Sequence, residues 1–106
     1  MREVLLGAAA LVALLAAAPS PTTYVVHIRD DKFQPPSVTV RAGDKVSFIN
    51  DDDDAHTATA DDGSWDSEGL NQGQTWSRTF SKGGTIRYHC TVHPFMKGTL
   101  VVKKAL

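Results

Sequence analysis

The sequence predicts an all-β fold, a small Greek-key β-sandwich preceded by an N-terminal apolar segment. Three observations predict it. Several short runs alternate apolar and polar residues with a period of two, as half-buried strands do. Gly- or Pro-rich punctuation separates those runs. Beyond the first 20 residues no stretch shows helical periodicity, and six or seven short strands with such turns suit a sandwich.

The first segment is VLLGAAALVALLAAA, residues 4 to 18, uncharged, rich in Ala and Leu, and preceded by Arg2. It is too short for a comfortable membrane span and reads as the apolar region of an export signal. Ala16 and Ala18 satisfy a small-residue cleavage pattern, but Pro19 would then open the mature chain, so retention as an anchor stays open beside removal. Residues 1–20 are therefore expected to be a signal peptide or N-terminal anchor, and residues 21–106 one folding unit. That unit, of about 85 residues, is large enough for a single core yet small enough to gain from a staple.

The strands follow in order. TYVVHIR (23–29) sets Tyr24, Val26 and Ile28 against Val25, His27 and Arg29. SVTVR (37–41) comes after Pro35 and Pro36, which argue for an edge or a bend there. KVSFIN (45–50) follows the turn residues Ala42-Gly43-Asp44, so these two runs are expected to be neighbouring strands joined tightly. QTWSRTF (74–80), the turn Lys82-Gly83-Gly84, TIRYH (85–89) and GTLVVKK (98–104) complete the set.

Charge excludes one class of partner. The formal net charge is −1, which argues for no whole-protein attraction to nucleic acid. Locally, eight of the twelve acidic residues lie between positions 51 and 68, with no Lys or Arg among them. A solvated loop, calcium binding and docking to a basic partner are the three readings. Calcium is the weakest, because DDDDAHTATADD lacks the Gly and Glu that an EF-hand loop needs at its sixth and twelfth places.

Cys90 is the only cysteine, so no internal disulfide supplies the staple. A lone cysteine is usually a small buried hydrophobe, but this one stands in YHCTVHPFM (88–96), with His93 and Met96 following at intervals of three. Thiolate and imidazole together suit copper or zinc, and a thioether favours copper. A His₂Cys trigonal site with a weak axial Met is an electron-transfer arrangement, and it needs a second histidine. His89 adjoins Cys90 in a strand, so the two side chains point to opposite faces. His27 falls on the outward phase of the first strand. His56 remains, leading into TATA (57–60), whose small residues are expected to lie extended beside the strand that ends at Cys90.

The chain resembles the cupredoxins, the small blue copper proteins, and within them the amicyanin- and plastocyanin-like members. The resemblance runs from about Tyr24 to Lys103; it is carried above all by YHCTVHPFMKG (88–98), with its short C-x-x-H-x-x-M loop and Pro after His, and by NDDDDAH and FQPPSVTVRAGDKVSFIN upstream. It implies His56 and His93 as imidazole ligands, Cys90 as thiolate and Met96 as axial thioether to one type 1 copper ion. Family members commonly carry Asn after the first His; here Thr57 stands there, and its hydroxyl is expected to bond toward the Thr91 backbone. Thr91 after Cys90 leaves a second copper centre short of ligands, so no enzyme is expected.

The implied function is single-electron transfer between a redox protein donor and acceptor, by Cu(I)/Cu(II) cycling. Docking is expected at the rim formed by His93, Pro94 and Phe95 and at the acidic 51–68 segment, by a monomer located in the periplasm or on the outer face of the cytoplasmic membrane. Membrane contact is expected only through residues 1–20, and only if they are retained. The alternative is copper sequestration or delivery, against which stands the single Met after the leader.

Overall fold

The computed structural model describes residues 20–104. The leader expectation for residues 1–20 thus falls, Ser20 apart, outside the described residues. Eight strands follow one another: β1 (Thr23–Arg29), β2 (Lys32–Gln34), β3 (Ser37–Arg41), β4 (Asp44–Asn50), β5 (Thr59–Ala60), β6 (Thr75–Phe80), β7 (Gly84–His89) and β8 (Lys97–Lys103). There is no helix among the described residues.

The strands form two four-stranded sheets, ordered β2-β1-β4-β6 and β3-β8-β7-β5. The alternation in sequence becomes the inner faces of the two sheets. Val26 and Ile28 from β1, Val46 and Phe48 from β4, and Leu100 and Val102 from β8 are all buried. Each such side chain, fully withdrawn from water, contributes about 1.5–3 kcal/mol. Between the sheets Phe48, Trp65 and Tyr88 meet ring to ring, Phe48 and Tyr88 edge-on at 5.3 Å. Tyr88 in turn lies against Gly98, its partner across β7 and β8; a side chain at position 98 would collide with the ring, so only glycine serves there.

One expectation is corrected. β3 and β4 are not neighbours: β3 pairs in parallel with β8, and β4 pairs with β1 and β6. Ala42 and Gly43 carry the chain from one sheet to the other, with Ala42 N–H donating to Lys103 O and Gly43 N–H to Phe80 O. Gly43 does this at φ 99°, which disfavours any side chain. The expected Lys82–Gly84 turn likewise crosses the sandwich, joining β6 in one sheet to β7 in the other. The two prolines stand, as expected, just before an edge strand, β3.

Asp44 closes the base of the sandwich. Its carboxylate accepts from the backbone N–H of Thr22 at 2.8 Å and of Arg41 at 2.9 Å. Those two bonds, Thr22's first, hold its carboxyl below the ordinary carboxylate range. At the other end β1, β4 and β7 finish together, beside the turn of the β1–β2 hairpin.

Candidate metal centre

Two segments meet at that far end. The first runs from Asn50, the last residue of β4, to Thr57. Asn50 is fully buried and organises it: its Nδ2 donates to Asp54 O and to Leu70 O, each at 2.8 Å, and its Oδ1 accepts from Asp52 N–H at 2.9 Å. A bridge between His56 and Leu70 then fixes the backbone, with bonds in both directions at 3.1 and 2.7 Å. His56 is held with no exposure to solvent.

The imidazole has two ends with different partners. Nδ1 lies 3.7 Å from Cys90 Sγ, and Nε2 lies 2.9 Å from Asp52 Oδ2. A neutral ring that donates Nε2–H to the carboxylate leaves the Nδ1 lone pair free toward the sulfur, so the hydrogen bond fixes the tautomer. Asp52 also accepts backbone N–H bonds from Asp30 at 2.9 Å and Asp31 at 3.0 Å. Desolvation works against its ionised form and is the strongest single influence, but the Asp31, Asp30 and His56 donors together outweigh it and hold the carboxyl below its usual range. Asp30 and Asp31 are the two central residues of the hairpin, both at φ 54°, a left-handed geometry that Asp tolerates better than most. One carboxylate thereby joins the hairpin turn to His56.

The second segment, Cys90 to Met96, follows β7. Cys90 is fully buried and Met96 nearly so. The loop closes on itself, with Cys90 N–H donating to Met96 O at 3.2 Å and Met96 N–H to His93 O at 2.9 Å. His93 Nδ1 lies 4.0 Å from Cys90 Sγ, and the His56 and His93 rings stand 4.8 Å apart. Thr57 ties the segments together. Its N–H points at Cys90 Sγ at 3.3 Å, and its hydroxyl accepts from Thr91 N–H at 2.8 Å, the bond expected from sequence. β5 pairs Thr59 and Ala60 with His89 and Tyr88, so the extended TATA segment also lies where the sequence puts it.

The donor atoms of His56, Cys90 and His93 lie within 4.8 Å of one another. An ion bound to one sulfur at ~2.3 Å and one imidazole at ~2.1 Å in a trigonal plane requires sulfur and nitrogen about 3.8 Å apart. The two observed separations, 3.7 and 4.0 Å, bracket that value. With Met96 buried at the end of the same loop, the set of two imidazoles, one thiolate and one thioether fits one copper ion.

The other two histidines stand apart from this cluster. His27 faces outward and meets Asp51 at 2.7 Å, and half-buried His89 meets Asp61 at 2.6 Å. The acidic run proves to be divided. Asp51 pairs with His27 and with Arg29 at 2.8 Å, and these two, His27 first, keep its carboxyl below the usual range. Asp52 serves the hairpin and His56, while Asp53 and Asp54 are exposed. Sequence reasoning did not find the roles of Asn50, Asp51 and Asp52, whose partners lie mostly 20 or more positions away. The single local signal was the polar stretch immediately before His56.

A two-sheet sandwich with His, Cys and His donors gathered at one end defines a class, the small copper-binding β-sandwiches. The chain belongs to the cupredoxin-like domain family, whose model matches residues 3–102. It is 41% identical over 91 residues to amicyanin-alpha of Methylorubrum extorquens, covering 81% of this chain and 76% of that protein. With the amicyanin of Paracoccus denitrificans it shares 34% identity over 84 residues, covering 74% of this chain and 64% of the relative's length. Among solved structures, a reduced amicyanin variant superposes with a TM-score of 0.72 at 32% identity, over 83% of this chain and 87% of that one. A copper-containing nitrite reductase from Thermus scotoductus gives 0.74 at 28% identity, over 86% of this chain but only 24% of the reductase.

Proposed function

We propose that this chain is a type 1 copper protein that carries single electrons between redox partners outside the cytoplasm, with His56, Cys90, His93 and Met96 as its ligands. The observation that carries this reading is the sulfur–nitrogen spacing at the far end of the sandwich, together with the burial of both sulfur residues. Copper, when bound, supplies a one-electron couple. The protein's own contribution is a donor set held in place before the metal arrives. Asp52 fixes the His56 ring, Thr57 fixes the Cys90 sulfur, and two backbone bonds fix the ligand loop. Donors that cannot move far keep the rearrangement between oxidation states small.

Electron exchange needs an edge near solvent, and the ligand loop supplies one. His93 is only half-buried, and the two side chains on either side of it, Val92 and Phe95, are 55% and 68% exposed. They make an apolar collar with Pro94 on which a redox protein docks. Asp30, Asp31, Asp53 and Asp54 border it, and favour a partner with a cationic rim. Asp51 and Asp52 are committed internally and take little part in docking.

Copper delivery is the second reading. It needs ligands that exchange readily, whereas Cys90, His56 and Met96 are sealed from water. Relatives that are carriers rather than catalysts support a role without substrate turnover. Residues 1–20 act as the export signal or a retained anchor, and residues 21–106 as the copper-binding domain.

The test is optical. Copper(II) added to the purified metal-free chain should give an intense blue or green colour, because thiolate-to-copper charge transfer requires Cys90 bound directly to the ion. Cys90→Ser should abolish it. A colourless complex, or a Ser variant as coloured as the parent, overturns the assignment.

A further inference from the structure

The two ends of the sandwich carry opposite charge. Around the donor cluster stand Asp30, Asp31 and Asp51 to Asp54. At the base, the ends of three strands and one turn carry Arg41, Lys45, Lys82, Lys103 and Lys104, all exposed. Arg41 pairs with Lys103 across β3 and β8, and the stem of Lys104 passes over Gly83, next to Lys82. Among the described residues the one carboxylate within this ring, Asp44, is 5% exposed and committed to the Thr22 and Arg41 backbone. Asp62 lies farther out, across a shallow cleft from Lys82 and Arg78.

The chain also enters the fold at this end. Lys45 N–H donates to Thr22 O at 2.9 Å, and Thr23 opens the parallel register of β1 opposite Lys45. Ahead of this point in the sequence lie the uncharged, apolar residues 4 to 18. A cluster of exposed cations at the end where the chain enters the fold, with an apolar segment ahead of it in sequence, has the chemistry of a surface that faces a bilayer.

We infer that the basic base of the sandwich seats on anionic phospholipid headgroups, and so holds the donor end pointing away from the membrane. The inference stands apart from the copper reading, since it uses none of the metal's ligands. Each Lys or Arg near an anionic surface strengthens binding about fivefold, within a Debye length of ~10 Å at 0.1 M salt.

The experiment measures binding of the full chain to phosphatidylcholine vesicles with and without about one-third phosphatidylglycerol. At low salt the parent should bind the anionic vesicles at least on the order of 100-fold more tightly than the neutral ones. The triple variant Lys82→Gln, Lys103→Gln, Lys104→Gln should lose on the order of 100-fold of that preference while its circular dichroism stays that of the parent. Lys32→Gln, at the acidic end, should keep it. A parent without lipid preference, as expected if these cations serve an acidic protein instead, overturns the inference. So does a triple variant that retains the preference, or a Lys32 variant that loses as much. Because no metal enters the measurement, its failure leaves the copper reading untouched.

Discussion

The two segments that bring ligands to the metal end are built in opposite ways. Residues 50 to 57 deliver one candidate ligand, His56, and surround it with hydrogen bonds between the side chains of Asn50, Asp52 and Thr57 and backbone as far away as Thr91. Residues 90 to 96 deliver three, and rely on two backbone bonds and the shortness of the loop. Within the first segment His56 is sealed from water, whereas the second presents Val92 and Phe95 to it. The lesson is a division of labour. In the proposed function, the remote, over-determined His56 sets the geometry and the sparse exposed loop gives the electron a way out.

The sharpest way to break this contrast is Asn50→Ala. It leaves the Asp52 N–H without its acceptor and takes a donor from the Asp54 and Leu70 carbonyls, Leu70 O keeping only the His56 N–H, where each lost partner costs ~1–3 kcal/mol. Urea unfolding of the metal-free chain should show a loss of about 3 kcal/mol. A loss below ~1 kcal/mol would mean that the first segment is not held as described. Thr57→Val keeps the shape but removes the hydroxyl that accepts from Thr91 N–H and bonds Thr59. It should cost about 1–2 kcal/mol in the same assay and shift the visible band of the copper-loaded protein, because the loop carrying Cys90 loses its tie. An unshifted band would show the two segments to be independent. Phe95→Ser, on the exposed loop, should change stability by less than ~0.5 kcal/mol. It should nevertheless slow electron exchange with a protein partner several-fold in stopped-flow mixing; a rate equal to the parent's would remove Phe95 from the docking collar.

The same contrast explains what could be read from the sequence. The short loop was legible because its donors are close in the chain: Cys90, His93 and Met96 announce themselves by type and spacing. Long alternating strands were legible too, and β1 and β3 fall where the pattern puts them. β2 and β5, with three and two residues, are too short to show a period. Turn residues reveal that the chain reverses, but not whether it stays in one sheet, which is why β3 and β4 read as partners. The division within the acidic run was not legible for a related reason. Carboxylates look alike in sequence, and only the fold brings Asp51 to Arg29 and Asp52 to the hairpin N–H groups. Of Asp51 to Asp54, the exposed pair Asp53 and Asp54 is what remains for a solvated or docking surface.

The parallel pairing of β1 with β4 has a mechanical consequence. Six residue pairs, from Thr23 opposite Lys45 to Ile28 opposite Asn50, lie in one register. A pull on the chain ahead of Thr22, directed away from the base, acts along the strands. It loads the ladder in shear, so that its bonds, together with the Asp44 clasp on Thr22, must yield at once rather than one after another. The fold therefore resists tension from its N-terminal side far better than peeling of its outermost strand, and the donor end stays out of the path of that force.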